Sequence, residues 1–281
     1  MTVETAPTAL QQRHHSLVPA PYPRWRTAAK RVLVSTAPIV GVLLLWELVS
    51  RTGFIDRSFF PPPSRILLRI WQMAAEGLIG EHLVVSLQRV VMGFVGGALP
   101  GVILGLLMGW IGIVRALFDP IITIIYPVPR IAILPLFLVI FGLGSPPIVA
   151  ITALICFFPA VVTTFAGVRG LDPNLPGMAR NLGATKMQIL RKIAFPAALP
   201  VIFAGLRLSL GVALTGEVAA EFVAANKGIG AEIWRYWQIY RIEEMYAYIV
   251  LISAVGVLLS FGLLEIQRRL LSWDEGVDLM K

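Results

Sequence analysis

Three ionisable residues stand inside long apolar stretches of this sequence, where they could contact a charged solute. Arg130 lies within YPVPRIAILP, and Glu217 and Glu221 lie one helical turn apart within LTGEVAAEF. A charged side chain within a membrane span is costly and usually faces the bundle interior or a watery cavity. The chemistry that this placement favours is the passage of a solute, with Arg130 as a contact for an anion.

Each of these residues also has a second interpretation. Arg130 is an ordinary charge at the end of a span if that span begins after it. Glu217 and Glu221 either line a cavity or pair with a residue of a neighbouring helix. Pairing is favoured for Glu221, which lies nearer the end of its span. The sequence leaves these alternatives open.

The sequence lacks the residue patterns of common catalytic and metal sites. The histidines are His14, His15 and His82, the single cysteine is Cys156, and neither H-E-x-x-H nor G-x-S-x-G occurs. Nucleophile-and-base arrangements and Cys-based zinc sites are therefore not supported. No Gly-rich loop ends in Lys-Ser or Lys-Thr, so the sequence has no phosphate-binding loop for ATP. We expect no metal, no bound cofactor and no enzymatic activity in this chain.

The composition predicts that these residues are carried by membrane helices. Hydrophobic residues make up 57% of the 281 residues and charged residues only 14%, with a mean hydropathy of +0.79. The net charge of +8 comes from short basic bursts between apolar stretches, not from a basic surface interleaved with aromatic residues. The sequence therefore indicates a membrane protein that does not bind nucleic acid.

A helix needs about 20 mostly apolar residues to cross a membrane. Six segments meet this requirement: 32–50, 90–111, 118–142, 148–168, 199–223 and 245–267. The predicted fold is all-α, a polytopic bundle of six transmembrane helices in one domain at 32–273. Polar tails precede it at 1–31 and follow it at 274–281.

The charges between the spans predict an orientation. Lys and Arg are more frequent on the side that holds the N-terminal tail, which favours both termini in the cytoplasm. The first span is expected to remain as an anchor, since no small-residue cleavage site follows it. Between the first two spans, FFPPPSRILLRIWQMAAEG predicts an amphipathic helix at the outer interface. This helix is either a covering element or a docking surface.

The second span carries a glycine at every fourth position, which leaves one helix face without side chains. We expect this face to be a packing seam for another helix, or else a direct contact for the solute. The glycines are Gly93, Gly97, Gly101, Gly105 and Gly109.

The loop between the fourth and fifth spans, at 169–200, is predicted to form a helix, a turn and a second helix. Asp172 caps the first helix, Gly183 ends it in the left-handed conformation, and Thr185 caps the second helix. The second helix runs to about Ala194, and Pro196 starts the next span. Such a loop lies across the ends of the spans and can pass on the movement of a partner.

This loop resembles the EAA loop of the permease subunits of bacterial ABC importers. That motif has an acidic residue and two alanines, then a glycine, then an apolar ending with proline. Ala179 matches the second alanine, Arg180 the basic residue after it, Gly183 the glycine, and Ile193 and Pro196 the ending. The match departs at its start.

Gly177 stands where the motif has its acidic residue, and Met178 stands at the first alanine. The resemblance nevertheless extends over about 32–273, through FFPPPSRIL, YPVPRIAILPLFLVIFGLG, FFPAVVTTFAGVRGLDPNL, RNLGATKMQILRKIAFPAALP, AGLRLSLGVAL and AAEF followed by KGIG. It is similar to the nitrate, sulfonate, taurine and bicarbonate group of permeases. The architecture this implies is that of a type I ABC importer permease in the cell inner membrane.

The resemblance also implies partners. They are a dimer of a separate ATPase, which carries ATP and Mg, a second permease copy, an extracytoplasmic solute-binding protein and membrane lipid. The residues implied in contact with the ATPase are Asp172, Ala179, Arg180, Gly183, Ala184, Ile193 and Pro196. The solute would be a small anion, to which Arg130 and Arg207 are suited. An ATP-independent carrier or channel is the alternative, but matching broken helices in the two halves, as in inverted repeats, are not seen.

Overall fold

The computed structural model describes residues 28–53, 56, 58–172 and 174–271. Most of the predicted N-terminal tail and the whole predicted C-terminal tail lie outside the described residues. The part that is described is helical and contains no strand. The chain divides into two compact units, Met1–Asp56 and Arg57–Lys281. Helix α1 (Ala28–Thr52) belongs to the first unit and coincides with the predicted span 32–50.

The second unit contains ten further α-helices among its described residues, joined by short turns. In chain order they are α2 (Pro63–Ala75), α3 (Gly80–Trp110), α4 (Gly112–Ile125), α5 (Leu134–Phe141), α6 (Ser145–Arg169), α7 (Asn174–Asn181), α8 (Lys186–Ile189), α9 (Phe195–Ala224), α10 (Ile229–Gln238) and α11 (Ile242–Leu270). A 3₁₀ turn, Arg130–Ile133, precedes α5, and a π-helical segment, Leu190–Ala194, joins α8 to α9.

Four helical stretches of the second unit are long and apolar enough to cross a membrane. They are α3, α6, α11 and the continuous stretch Lys186–Ala224. A fifth crossing is formed if α4 and Arg130–Phe141 count as one broken span. The all-α membrane bundle is therefore confirmed, whereas the predicted number of six spans is matched only up to five by length and composition.

The predicted span 118–142 is not one helix. Helix α4 and the segment Arg130–Phe141 meet at an angle of 87°. Pro127 and Pro129 lie in the break, where each removes a backbone N–H that a continuous helix would need. The bend therefore has a local cause.

The predicted end of the loop helix at Ala194 also needs correction, because the helix continues into the next span. The amide of Phe195 donates to the carbonyl of Leu190, five residues earlier. This wider π turn carries the chain past Pro196, which has no N–H of its own to donate. Lys186–Ala224 is consequently a single helical stretch of 39 residues.

Helix α6 packs against α3 on one side and against α9 on the other. The glycine stripe of α3 faces α6 in parallel register, from Gly93 beside Thr152 to Gly109 beside Val168. A Cβ atom added at Gly101 would lie 2.6 Å from the carbonyl oxygen of Phe157. Helices α3 and α6 are thus held at a separation that side chains on this face of α3 would prevent.

Helices α2, α10 and α11 pack together at one end of the second unit, which we call the α10 end. Met73 of α2, Ile229 of α10 and Tyr248 of α11 are completely buried in one apolar cluster. The opposite face of α2 exposes Leu67 and Trp71, as expected for an amphipathic helix at an interface. The loop that carries α7 and α8 lies at the other end, which we call the α7–α8 end.

Candidate functional site

The loop at the α7–α8 end begins with a capped helix. The Asp172 carboxylate accepts a hydrogen bond of 2.9 Å from the amide of Asn174, the first residue of α7. This bond satisfies one of the free amides at the helix start. Asp172 therefore occupies the capping position that the sequence predicted, while Pro173 lies outside the described residues.

The turn after α7 is a Schellman motif, which explains the glycine at its centre. The Ala184 amide donates to the Ala179 carbonyl and the Gly183 amide to the Arg180 carbonyl, both at 3.0 Å. Gly183 has φ +83°, a conformation that costs a residue with a Cβ roughly 1–2 kcal/mol. A Cβ at this position would meet nothing within 4 Å. The glycine is thus required by the backbone conformation and not by space.

Helix α8 begins with a capping box. The Thr185 amide donates to the Gln188 side chain at 2.8 Å, and the Gln188 amide donates to Thr185 Oγ1 at 3.3 Å. Each side chain therefore satisfies a free amide of the other residue. Ile193, on the π segment, lies close to the turn at Gly183. Together with Gly183 and Ala184 it lines a pocket of about 340 Å³.

Helix α7 presents an apolar face that the sequence reasoning did not identify. Leu175 and Met178 of α7 and Leu182, the residue directly after it, recur at helical spacing and are 45%, 62% and 87% exposed. Exposed apolar side chains that lie together mark a surface for a partner. Met178, which replaces the first alanine of the motif, belongs to this face. Gly177 precedes it, and a Cβ there would meet nothing within 4 Å.

At the α10 end, Glu221 is completely buried. Hydrogen-bond donors surround its carboxylate. Its carboxylate forms an ion pair with Arg89, which is itself 4% exposed. The Ser86 hydroxyl oxygen lies 2.9 Å from both carboxylate oxygens, and the Gly230 amide donates at 2.7 Å. The structure thus places Glu221 in the pairing arrangement, the favoured alternative for this residue.

Arg89 joins three parts of the chain through one guanidinium group. It donates to Glu221 of α9, to the Ser145 hydroxyl of α6 at 3.0 Å and to the Lys227 carbonyl at 2.7 Å. A buried arginine is tolerated when its donors are used in this way. Gly228 completes the site. Its φ is +131°, and a Cβ there would collide with the Glu221 carboxylate, so both the backbone conformation and the space require glycine.

Arg89 and Ser86 were not predicted, although a signal for them existed. Arg89 directly precedes the predicted span 90–111 and so resembles an ordinary flanking charge. A buried glutamate needs a donor with a positive charge, and Arg89, a cation at the start of a predicted span, is able to meet this requirement.

Glu217 is also completely buried, one turn before Glu221. Neither of its carboxylate oxygens accepts a hydrogen bond from a described residue. The two glutamates therefore share a helix face but have different surroundings. The Glu221 carboxylate accepts hydrogen bonds from Arg89 and Gly230, whereas the Glu217 carboxylate accepts none from the described residues.

Arg130 lies in the break between α4 and α5, beside the middle of α6. Its guanidinium carbon is 5.0 Å from the centre of the Tyr126 ring and 5.1 Å from that of Phe158. It donates to the Tyr126 carbonyl at 2.6 Å, which satisfies a carbonyl at the end of α4. No carboxylate of a described residue lies within ion-pair distance of this charge. Arg130 therefore carries a half-buried positive charge without an acidic partner in the described part of the chain.

The remaining residue that the sequence suggested as a contact for an anion is Arg207. Arg207 donates to the Gln267 side chain at 2.9 Å and so links α9 to α11. Among the residues described, no three His, Cys, Asp or Glu side chains come together as a metal site would require.

Comparison with known proteins identifies the family. Residues 101–272, more than half of the chain, match the family described as binding-protein-dependent transport system inner membrane component. The chain is 32% identical to the taurine transport system permease protein TauC of Escherichia coli (strain K12) over 256 residues, which cover 89% of this chain and 93% of TauC. It is 33% identical to the putative aliphatic sulfonates transport permease protein SsuC of Bacillus subtilis (strain 168), over 83% of this chain and 84% of SsuC.

A third relative is the bicarbonate transport system permease protein CmpB of Synechococcus elongatus, 29% identical over 94% of this chain and 98% of CmpB. The fold is similar to a solved structure of the MetNI methionine ABC transporter in an inward-facing conformation. That likeness has a TM-score of 0.59 at 22% identity and covers 67% of this chain and 94% of the solved chain. The chain belongs to the family of inner membrane components of binding-protein-dependent transport systems, the permeases of ABC importers.

Proposed function

We propose that this chain forms the membrane path of an importer for a small anionic solute and couples to a separate ATPase through the loop around Gly183. ATP and Mg are bound by an ATPase dimer, since the sequence has no phosphate-binding loop. Two permease copies line the path, and a solute-binding protein delivers the solute from outside. Both termini lie on the ATPase side of the inner membrane.

The observation that carries the coupling proposal is the construction of the loop. Hydrogen bonds of Asp172, the Schellman motif around Gly183 and the capping box of Thr185 define both ends of α7 and the start of α8. The apolar face of α7, with Leu182 87% exposed, then projects from this rigid base. A rigid helix with exposed apolar side chains fits a groove on a partner. Docking through shape and apolar contact also suits a motif in which Gly177 replaces the acidic residue.

The helix that follows the loop offers a route for movement. Lys186–Ala224 is continuous over 39 residues, which corresponds to about 58 Å at 1.5 Å per residue. Its far end carries Glu221 and therefore the contact with Arg89 of α3. A displacement of α8 by the ATPase would be passed along this helix to the α10 end as a rigid-body movement between two states.

The identity of the solute is inferred from the relatives and from Arg130. The relatives named above transport taurine, aliphatic sulfonates or bicarbonate, all of which carry an anionic group. Arg130 supplies a positive charge that no described carboxylate neutralises, beside the middle of a span. Nitrate fits the same chemistry. Glu217 stays a second candidate for the path, while Glu221 is assigned to the contact with Arg89.

The coupling proposal is tested at Gly183 with matched glycine variants. Gly183→Ala should reduce association with the ATPase and ATP-dependent uptake, because alanine disfavours φ +83°. Gly183→Asn should be milder, since asparagine tolerates this conformation better. Gly177→Ala is the control, because it lies on the same loop in ordinary helical backbone with free space. If Gly183→Ala and the bulkier Gly183→Trp both kept full ATPase association and uptake, the coupling role would be wrong.

The path proposal is tested separately at Arg130. Arg130→Gln should lower uptake of the anion while ATPase association stays normal, and Arg130→Lys should keep part of the uptake because it retains a charge. Uptake is measured in proteoliposomes with taurine, an alkanesulfonate and bicarbonate, each with the binding protein that captures it. Normal uptake by Arg130→Gln would remove Arg130 from the path.

A further inference from the structure

A large apolar groove lies on the second unit at its α7–α8 end. It measures about 710 Å³ and is bordered by the last turns of α3 and by the helix from Lys186 to Phe195. Ile103 and Leu107 of α3 and Met187 of α8 line it, and they are 50%, 41% and 60% exposed. Trp110, the last residue of α3, also lines the groove. Tryptophan is enriched where a span meets the membrane interface, so the groove opens at the depth where lipid headgroups meet their chains.

Two positive charges border this apolar groove. Lys186 and Arg191 both line it, and both side chains are exposed. Neither lies within ion-pair distance of a carboxylate among the described residues. An apolar groove beside free cations is complementary to a molecule with an anionic head and an apolar chain.

The groove lies on a different face of the helix from the coupling signature. Lys186 and Arg191 face the groove, whereas Gln188, Lys192 and Ile193 line the pocket that contains Gly183. The groove and the pocket around Gly183 have no lining residue in common. An ATPase seated on the Gly183 face therefore leaves the groove face toward α3 for another ligand.

We infer that this groove binds an anionic phospholipid, with its acyl chain along α3 and its headgroup phosphate on Lys186 and Arg191. The bound lipid would bridge α3 and the helix that carries the coupling loop. The inference uses the membrane orientation proposed above but does not depend on ATP coupling. Lipid composition would then influence how the loop is held.

The test uses the purified complex of the full chain with its ATPase, without nucleotide. Phosphatidylglycerol and phosphatidylcholine are titrated and binding is followed by native mass spectrometry. We expect tighter binding of phosphatidylglycerol, weakened by added salt. The double variant Lys186→Gln with Arg191→Gln should bind it roughly 30-fold more weakly, as expected for the loss of two cations near a lipid surface.

Arg268→Gln is the matched control, because it removes the same charge from an exposed position in the last turn of α11 that lines neither the groove nor the Gly183 pocket, and it should keep the affinity. Leu107→Trp fills the groove and should weaken binding although both cations remain. Equal affinity for the two lipids in the wild-type complex would overturn the inference without any variant. It would also be overturned if Arg268→Gln weakened binding as much as the double variant, or if the ATPase or a second permease copy excluded phosphatidylglycerol from the wild-type protein. Binding is measured without ATP, so a failure here is distinct from a failure of the coupling proposal.

Discussion

The seam between α3 and α6 can be tested by comparing two adjacent glycines. A Cβ atom at Gly97 would collide with the carbonyl oxygen of Ala153 and would lie 2.7 Å from the carbonyl carbon and 2.8 Å from the Cα of the same residue, all backbone atoms. Restoring an ordinary contact of about 3.4 Å with the carbonyl carbon alone requires a backbone shift of about 0.7 Å, and the nearer oxygen requires a larger one. A Cβ at Gly96 would have only Ala153 Cβ nearby, at 3.9 Å.

Both Gly97→Ala and Gly96→Ala gain about 1 kcal/mol of helix propensity, so their difference isolates the packing at the seam. Overpacking of this kind costs about 1–3 kcal/mol. We expect Gly97→Ala to melt below Gly96→Ala by about 2–4 °C for each kcal/mol. The assay is thermal unfolding of the purified protein in detergent, with uptake measured in parallel.

Gly96→Ala should be as stable as the wild type or more stable. The reasoning would be refuted if Gly97→Ala melted at or above the temperature of Gly96→Ala. Such a result would mean that α3 and α6 are not held at the close separation described above.

Three further predictions concern buried or capping groups. Arg89→Met should cost about 3–5 kcal/mol because it leaves Glu221 buried without a cation, and Glu221→Leu added to it should recover most of the loss; unfolding of the single and double variants measures this, and no recovery would argue against the ion pair. Glu217→Gln should leave the unfolding temperature unchanged or raise it, since no described residue donates to this carboxylate, whereas Glu221→Gln should lower it; equal effects of the two changes would contradict their different surroundings. Thr185→Ala should lose about 1 kcal/mol of helix capping, seen as faster amide hydrogen exchange at Gln188 without a change in the bundle; unchanged exchange would exclude the capping box.

The membrane class and the loop could be predicted because their causes are local. Composition and the length of apolar stretches decide whether a chain enters a membrane. Gly183 and Thr185 specify a turn and a cap through contacts within a few residues, and the structure has both. The continuation of the helix beyond Ala194 was missed, because a π turn past Pro196 depends on hydrogen bonds that proline patterns do not reveal.

The buried contacts depended on tertiary structure. Arg89 and Glu221 are 132 residues apart, and nothing near either residue in the sequence points to the other. The glycine pattern of α3 predicted a close-packed face, but only the fold shows that α6 covers it. Arg130 could have been a flanking charge or a buried one until the bend placed it beside Phe158. Local spacing thus determined which residues carry turns, caps and charges. The packing of distant helices decided which of those charges are neutralised, because only packing brings remote donors within hydrogen-bond distance.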